Sequence, residues 1–297
     1  MPHVSDFLSP VELQRFSNLQ VVARLVVEGV AAGLHQSPHK GLSLDFAQHR
    51  AYVPGDEIRR LDWKVFGKTD RFYIREYEEE TNLRTTILLD SSGSMAYGRE
   101  VTKHHYAVRL AASLAYLMIQ QQDSVGMAAF DRKLRDFVPP RSGSGHLRLL
   151  LEQLKNCKPG GETRLAQSLV DLAPRLQKRG LLILISDCFD NLKALIAALA
   201  HFRSARHEII LFQIWDPDEL EFPFSQWTRF ESLEGGDTFQ TVDPAQIRSL
   251  YLKNLAEFRA RLEAGCQQLR IDLVPVVTNR PYADILVEYL AKRFQRP

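Results

Sequence analysis

Thr85-Thr86-Ile87-Leu88-Leu89-Asp90-Ser91-Ser92-Gly93-Ser94 sets an aliphatic run directly before one carboxylate and two alternate hydroxyls. A short apolar run of this kind, closed by polar loop residues, reads as a strand buried on both faces, as in a parallel sheet. Open α/β sheets build their sites at the carboxyl ends of their strands. Asp90, Ser92 and Ser94 would therefore stand where a site is expected. They offer only oxygen donors, which suits a hard divalent cation: Mg²⁺ first, with Mn²⁺ or Ca²⁺ as alternatives.

Working outward, the same alternation of apolar runs and helical periods continues to the end of the chain. Lys103–Gln121 reads as a helix and Val125–Phe130 as a strand, with Leu134–Val138 its edge partner. Leu147–Asn156 and Leu165–Leu176 read as helices, and Leu181–Ser186 as a strongly apolar strand ending at Asp187. Asn191–Phe202 (helix), Glu208–Ile214 (strand), Pro244–Gly265 (helix), Ile271–Pro275 (strand) and Tyr282–Phe294 (helix) complete the series. This order predicts a doubly wound, mostly parallel, Rossmann-like α/β sheet over 84–297. In the strand order 3-2-1-4-5-6 of such sheets the first and fourth strands are neighbours. Asp90, Ser92, Ser94, Thr163 (at the end of the loop Lys158-Pro159-Gly160-Gly161-Glu162) and Asp187 would then meet on one rim.

Residues 1–83 are irregular by comparison and read as an N-terminal α/β extension. Apolar positions at helical spacing predict a helix over Val11–Ala32, capped by Ser9-Pro10. Leu42, Leu44 and Phe46 alternate as in a half-buried strand, Tyr52–Asp56 reads as a turn, and Tyr73–Tyr77 as a second strand.

Composition narrows the function classes. With 38 basic and 36 acidic residues, the formal charge of +2 gives no ground for a nucleic-acid partner. Three cysteines, Cys157, Cys188 and Cys266, form neither a Cys-x-x-Cys pair nor a zinc spacing, and fit a reducing compartment. The first residues lack a signal-peptide pattern and no apolar run reaches membrane-span length, so the expected location is the cytoplasm.

The set Asp90-x-Ser92-x-Ser94, Thr163 and Asp187 resembles the metal-ion-dependent adhesion site of von Willebrand factor type A domains. That resemblance implies Ser92, Ser94 and Thr163 as close ligands of Mg²⁺, with Asp90 and Asp187 acting through water. It also implies an open position for a partner's Asp or Glu. Gly41–Phe46, Arg50-x-Tyr52-x-x-Gly55-Asp56-x-x-Arg59-x-x-Asp62-Trp63-Lys64, Glu76–Glu80 and Asp216-Pro217-x-Glu219-x-Glu221-x-Pro223 are similar to the signature of a bacterial family, domain of unknown function 58. Its association with MoxR-type AAA+ ATPases implies such an ATPase, or its client, as partner. The expected function is a non-enzymatic, metal-dependent protein-interaction module.

Plainer readings compete at several positions. Ser92, Ser94 and Thr163 could each cap a helix, and Asp190 reads as the N-cap of the helix that follows it. His104 and His105 are adjacent in a helix and cannot share a face as paired ligands would. Trp63 reads as core, and Ser142-Gly143-Ser144-Gly145 as a flexible loop. Two alternative functions stand beside the adhesion site. A haloacid-dehalogenase-like phosphatase would use Asp90, but its general acid would fall at Ser92, which has no proton to donate readily. The other is a metal-free scaffold.

Overall fold

The computed structural model describes residues 23–24, 26–27, 49–51, 73–75, 83–176, 178–234 and 239–287 of the 297. Cα packing divides the chain into two compact units, Met1–His35 with Leu83–Pro297, and Gln36–Asn82. In the second unit, β1 (His49–Ala51) pairs antiparallel with β2 (Tyr73–Arg75), His49 opposite Arg75. Most of the helix expected over Val11–Ala32 lies outside the described residues, although residues 23–24 and 26–27 are helical. The strand at Leu42–Phe46, the turn at Tyr52–Asp56, Trp63 and Glu76–Glu80 also lie outside them.

The first unit is built on a six-stranded sheet. Its strands are β3 (Arg84–Asp90), β4 (Ser124–Phe130), β5 (Leu134–Arg141), β6 (Leu181–Ser186), β7 (Glu208–Trp215) and, after a separate antiparallel ribbon of β8 (Thr228–Glu231) and β9 (Phe239–Val242), β10 (Asp272–Val277). The sheet runs β10-β7-β6-β3-β4-β5, parallel throughout except for the edge strand β5. Counted along the sheet's own strands, this is the 3-2-1-4-5-6 order of a doubly wound fold, as the sequence predicts. Pro139 and Pro140 sit in β5, where an edge strand tolerates their missing N–H groups.

Period-two alternation splits the sheet's side chains between two apolar layers. Ile87 and Leu89 of β3, Ile183 and Ile185 of β6, and Phe212 of β7 face the layer that includes Ala23, Val26 and Val27. Helices α1 (Lys103–Gln120) and α2 (Ser144–Asn156), with Ile285 and Leu286 of the helical residues 282–287, cover it. Leu88, Leu182, Leu184 and Leu211 face the opposite layer, under α3 (Leu165–Leu172), α4 (Leu192–Ser204) and, beyond the short α5 (Pro217–Glu221), α6 (Pro244–Gln268). Helices on both faces bury all six residues of β6, which is why that strand is aliphatic throughout.

Local chemistry corrects several expectations. The helix expected to reach Leu176 stops at Leu172, and Ala173–Arg175 tightens into a 3₁₀ turn at Pro174, which cannot donate to a helical ladder. Ser144 and Gly145 are the first residues of α2 rather than a loop, and Gly143 breaks the chain ahead of them at φ 97°. Helix α5 and the β8–β9 ribbon were not anticipated, since four or five residues are too few to establish a period. Asp190 does not cap α4. Asn191 does, accepting from Ala194 N at 3.1 Å, while Asp190 Oδ2 accepts from Ala166 N at 2.9 Å and so caps the neighbouring α3.

Candidate functional site

Parallel pairing of β3 with β6 aligns their carboxyl ends, Leu89 opposite Ile185, so that Asp90 and Asp187 leave the sheet side by side. Both carboxylates are buried. Asp90 Oδ1 accepts from Ser92 N at 2.9 Å and Oδ2 from Ser186 Oγ at 2.5 Å. The Ser186 hydroxyl also accepts from Cys188 N at 2.8 Å, steadying the left-handed turn that Cys188 makes at φ 64°. Burial, followed by the charge of Asp187, pushes the Asp90 carboxyl up from 3.8 to about 7.

Two further loops close on this pair. Gly93 N donates to Gly161 O at 2.8 Å and Gly160 N to Ser91 O at 2.9 Å, so the serine loop and the loop carrying Thr163 are tied together. Gly161 adopts φ 81°, a conformation that favours glycine, and a Cβ there would stand 3.3 Å from Asp131 Oδ2. Ser92 Oγ and Ser94 Oγ are 3.1 Å apart. Ser92 makes no capping bond to the 3₁₀ turn Gly93–Ala96, and Thr163 donates its hydroxyl to Glu234 Oε1 at 2.6 Å. Neither of these two bonds is a helix cap.

Sequence reasoning missed three charged residues here. Lys103, the first residue of α1, is fully buried, with Nζ 2.8 Å from Asp187 Oδ2 and 2.5 Å from Glu219 Oε1. It also lies 5.2 Å from the centroid of the Phe189 ring. Burial pulls the Lys103 ammonium down, but Asp187 and Glu219 outweigh it and hold the pKa above the usual lysine range. Glu219 is fixed in turn by a capping box: Asp216 accepts from Asp218 N at 2.9 Å, and Glu219 Oε2 accepts from Asp216 N at 2.9 Å. That accounts for the spacing in Asp216-Pro217-x-Glu219, the one visible signal for Glu219. Lys103 had only its place after the capping residue Thr102, and Glu234 had no local pattern at all.

The site therefore holds three hydroxyls and two buried carboxylates, one of them matched by a lysine. Its donors are hard oxygens, the chemistry that Mg²⁺ takes. Adjacent ligands of an octahedral Mg²⁺ lie roughly 2.9–3.0 Å apart, from metal–oxygen distances of about 2.1 Å. The Ser92–Ser94 separation of 3.1 Å is close to that spacing. Among the described residues, no group of three or more His, Cys, Asp or Glu side chains gathers closely enough to hold a metal. Any cation here would depend on the hydroxyls. His104 has a different role: its Nε2 is 3.0 Å from Cys157 O, and burial lowers its pKa.

Beside the site runs a groove of about 440 Å³, lined by Ser94, Glu234 and the aromatic rings of Tyr97, Phe189, Phe224 and Tyr251, among others. Among the described residues, no helix is long and apolar enough to cross a membrane.

Comparison with known proteins gives relatives without an assigned activity. The chain is 25% identical over 295 residues to the uncharacterized protein Rv1480 of Mycobacterium tuberculosis, covering 97% of this chain and 92% of that protein. It is 28% identical over 142 residues to the uncharacterized protein YeaD of Bacillus subtilis, covering 48% of this chain and 33% of YeaD. Among solved structures it is similar to the conserved hypothetical protein BatB of Bacteroides thetaiotaomicron, at 15% identity and TM-score 0.48, over 72% of this chain and 99% of BatB. It is also similar to the SpRpn10 VWA domain, at 13% identity and TM-score 0.43, over 69% of this chain and 94% of that domain. Residues 48–261 match a family model, and on that span the chain belongs to the family described as protein of unknown function DUF58.

Proposed function

We propose that this chain is a non-enzymatic, metal-dependent protein-interaction module. Ser92, Ser94 and Thr163 would hold a divalent cation, Mg²⁺ in the first instance. Asp90 and Asp187 already accept protein hydrogen bonds on both oxygens, so they would act through water. When bound, the metal supplies a Lewis-acidic position for a carboxylate of the partner. What supports this reading is that two buried strand-end carboxylates lie at the switch point of a doubly wound sheet, with the Ser92 and Ser94 hydroxyls 3.1 Å apart and their loop hydrogen-bonded to the loop that carries Thr163.

The protein's own groups would do the rest. Ser186 and the Ser92 amide orient Asp90, Lys103 fixes Asp187, and the Gly93–Gly161 hydrogen bond keeps the two hydroxyl loops in register. The partner proposed is a MoxR-type AAA+ ATPase, or a client that such an ATPase assembles or remodels, engaged through an Asp or Glu. This partner rests on the family resemblance of the sequence.

The test is affinity capture from native lysate with wild type and Asp90→Ala, each with Mg²⁺ and with EDTA. Retention of an AAA+ ATPase or its client by wild type with Mg²⁺ alone is the expected result. Capture that survives both Asp90→Ala and EDTA would sink the metal-bridge reading and leave a metal-free scaffold. Hydrolysis of p-nitrophenyl phosphate by wild type, lost in Asp90→Asn, would favour the phosphatase reading instead.

A further inference from the structure

We propose that Glu234 is an in-chain ligand of this metal site, held at the position that a partner's carboxylate would take. The proposal rests on the metal-site reading above and goes one step beyond it.

Two independent contacts bring Glu234 there. Thr163 Oγ1 donates to Glu234 Oε1 at 2.6 Å, across 71 residues of sequence. One residue earlier, the backbone of Leu233 is seated on Gly93, between the two candidate serine ligands. A Cβ on Gly93 would lie 1.9 Å from Leu233 O, so only glycine admits this approach. Glu231, Ser232 and Leu233 are exposed, yet Glu234 is half-buried and lines the same groove as Ser94. The chain following β8 thus turns one carboxylate inward at the hydroxyl cluster.

Charge explains why a carboxylate belongs there. The ammonium of Lys103 matches Asp187, and both oxygens of Asp90 already accept hydrogen bonds from Ser92 N and Ser186 Oγ. Ser92, Ser94 and Thr163 are neutral, so a dication held by them alone would meet little direct negative charge. A hydroxyl that gives a lone pair to a metal keeps its proton and donates it in a hydrogen bond, and a carboxylate within reach can accept that bond or bind the cation beside it. Glu234 is so placed. A partner's Asp or Glu would then have to displace Glu234, and the site would discriminate against weak acidic ligands by that competition.

The test is titration of the full chain with Mn²⁺, followed by water-proton relaxation, which reports the number of waters left on the ion. Wild type, Glu234→Gln and Asp90→Ala are compared, with melting in EDTA as the check on folding. Glu234→Gln keeps the side chain's shape. It should bind Mn²⁺ about tenfold more weakly, since ligand charge sets affinity at such sites. Its bound Mn²⁺ should relax water faster, and added sodium acetate should suppress that excess in Glu234→Gln at concentrations that leave wild type unchanged. Wild-type affinity and relaxation in Glu234→Gln would overturn the role of Glu234 while leaving the metal site standing. Failure of wild type itself to bind Mn²⁺ would overturn both.

Discussion

Lys103 Nζ lies 2.8 Å from Asp187 Oδ2, and both side chains are wholly shielded from solvent. An ammonium taken out of water is tolerable only when its charge is met and its protons are accepted. Asp187 and Glu219 do both. The pair couples the strand-end carboxylate to the start of α1 and, through Glu219, to the capped turn after β7.

Removing the lysine should be costly. Lys103→Met leaves the buried Asp187 and the half-buried Glu219 without a cation, and breaking a buried pair from one side costs about 3–5 kcal/mol. Urea unfolding in EDTA is expected to show that loss, with partial recovery in millimolar Mg²⁺ as the metal replaces the missing charge. A variant as stable as wild type would mean that Lys103 does not hold the site together.

Asp90 gives stability a pH dependence of defined sign in metal-free protein. Its folded pKa, raised from 3.8 to about 7, lets the native state keep a proton that the unfolded chain has released. The contribution is full below about 3.8 and is lost as pH rises through about 7, with a slope of at most ~1.4 kcal/mol per pH unit. Asp90→Asn cannot ionise, so in EDTA it should gain on wild type between pH 5 and 7.5. Parallel unfolding profiles for the two proteins would contradict the assigned environment.

Gly93→Ala tests the seat of the β8–β9 ribbon. With backbone atoms of Leu233 at 1.9 and 2.6 Å from the new Cβ, the approach cannot survive unchanged. A penalty of about 1–3 kcal/mol is expected for such overpacking. Hydrogen exchange should speed up in 228–234 and 239–242 while β3 and β6 stay protected. Unaltered exchange in the ribbon would show that it does not rest on Gly93.

Asp190→Ala and Asn191→Ala should separate two helix starts whose capping residues adjoin in sequence. Loss of Asp190 removes the bond to Ala166 N and should fray the first turn of α3, whereas loss of Asn191 should fray α4. Each is expected to cost about 1 kcal/mol. Residue-resolved exchange distinguishes them, and fraying of α4 alone in Asp190→Ala would refute the crossed cap.

Much of the fold was legible because its signals are local. Aliphatic runs such as Leu181–Ser186 and the helical period of Lys103–Gln120 are properties of short windows, and their alternation is enough to call for a parallel sheet. The four-residue strands β8 and β9 carried no such period and escaped. Asp190 was misassigned for a related reason: proximity in sequence favoured α4, whereas the N–H group in need of an acceptor belonged to α3.

The sequence by itself determined that two aspartates end neighbouring strands and that three hydroxyls follow in loops, because strand ends and glycine turns are written residue by residue. Only the tertiary structure decided which charges meet them. Lys103 reaches Asp187 across 84 residues and Glu219 across 116, and Thr163 reaches Glu234 across 71. Such pairings follow from how helices and the β8–β9 ribbon pack at the rim of the sheet. A buried charge takes the partner that packing brings within reach, and no local window of sequence encodes that choice.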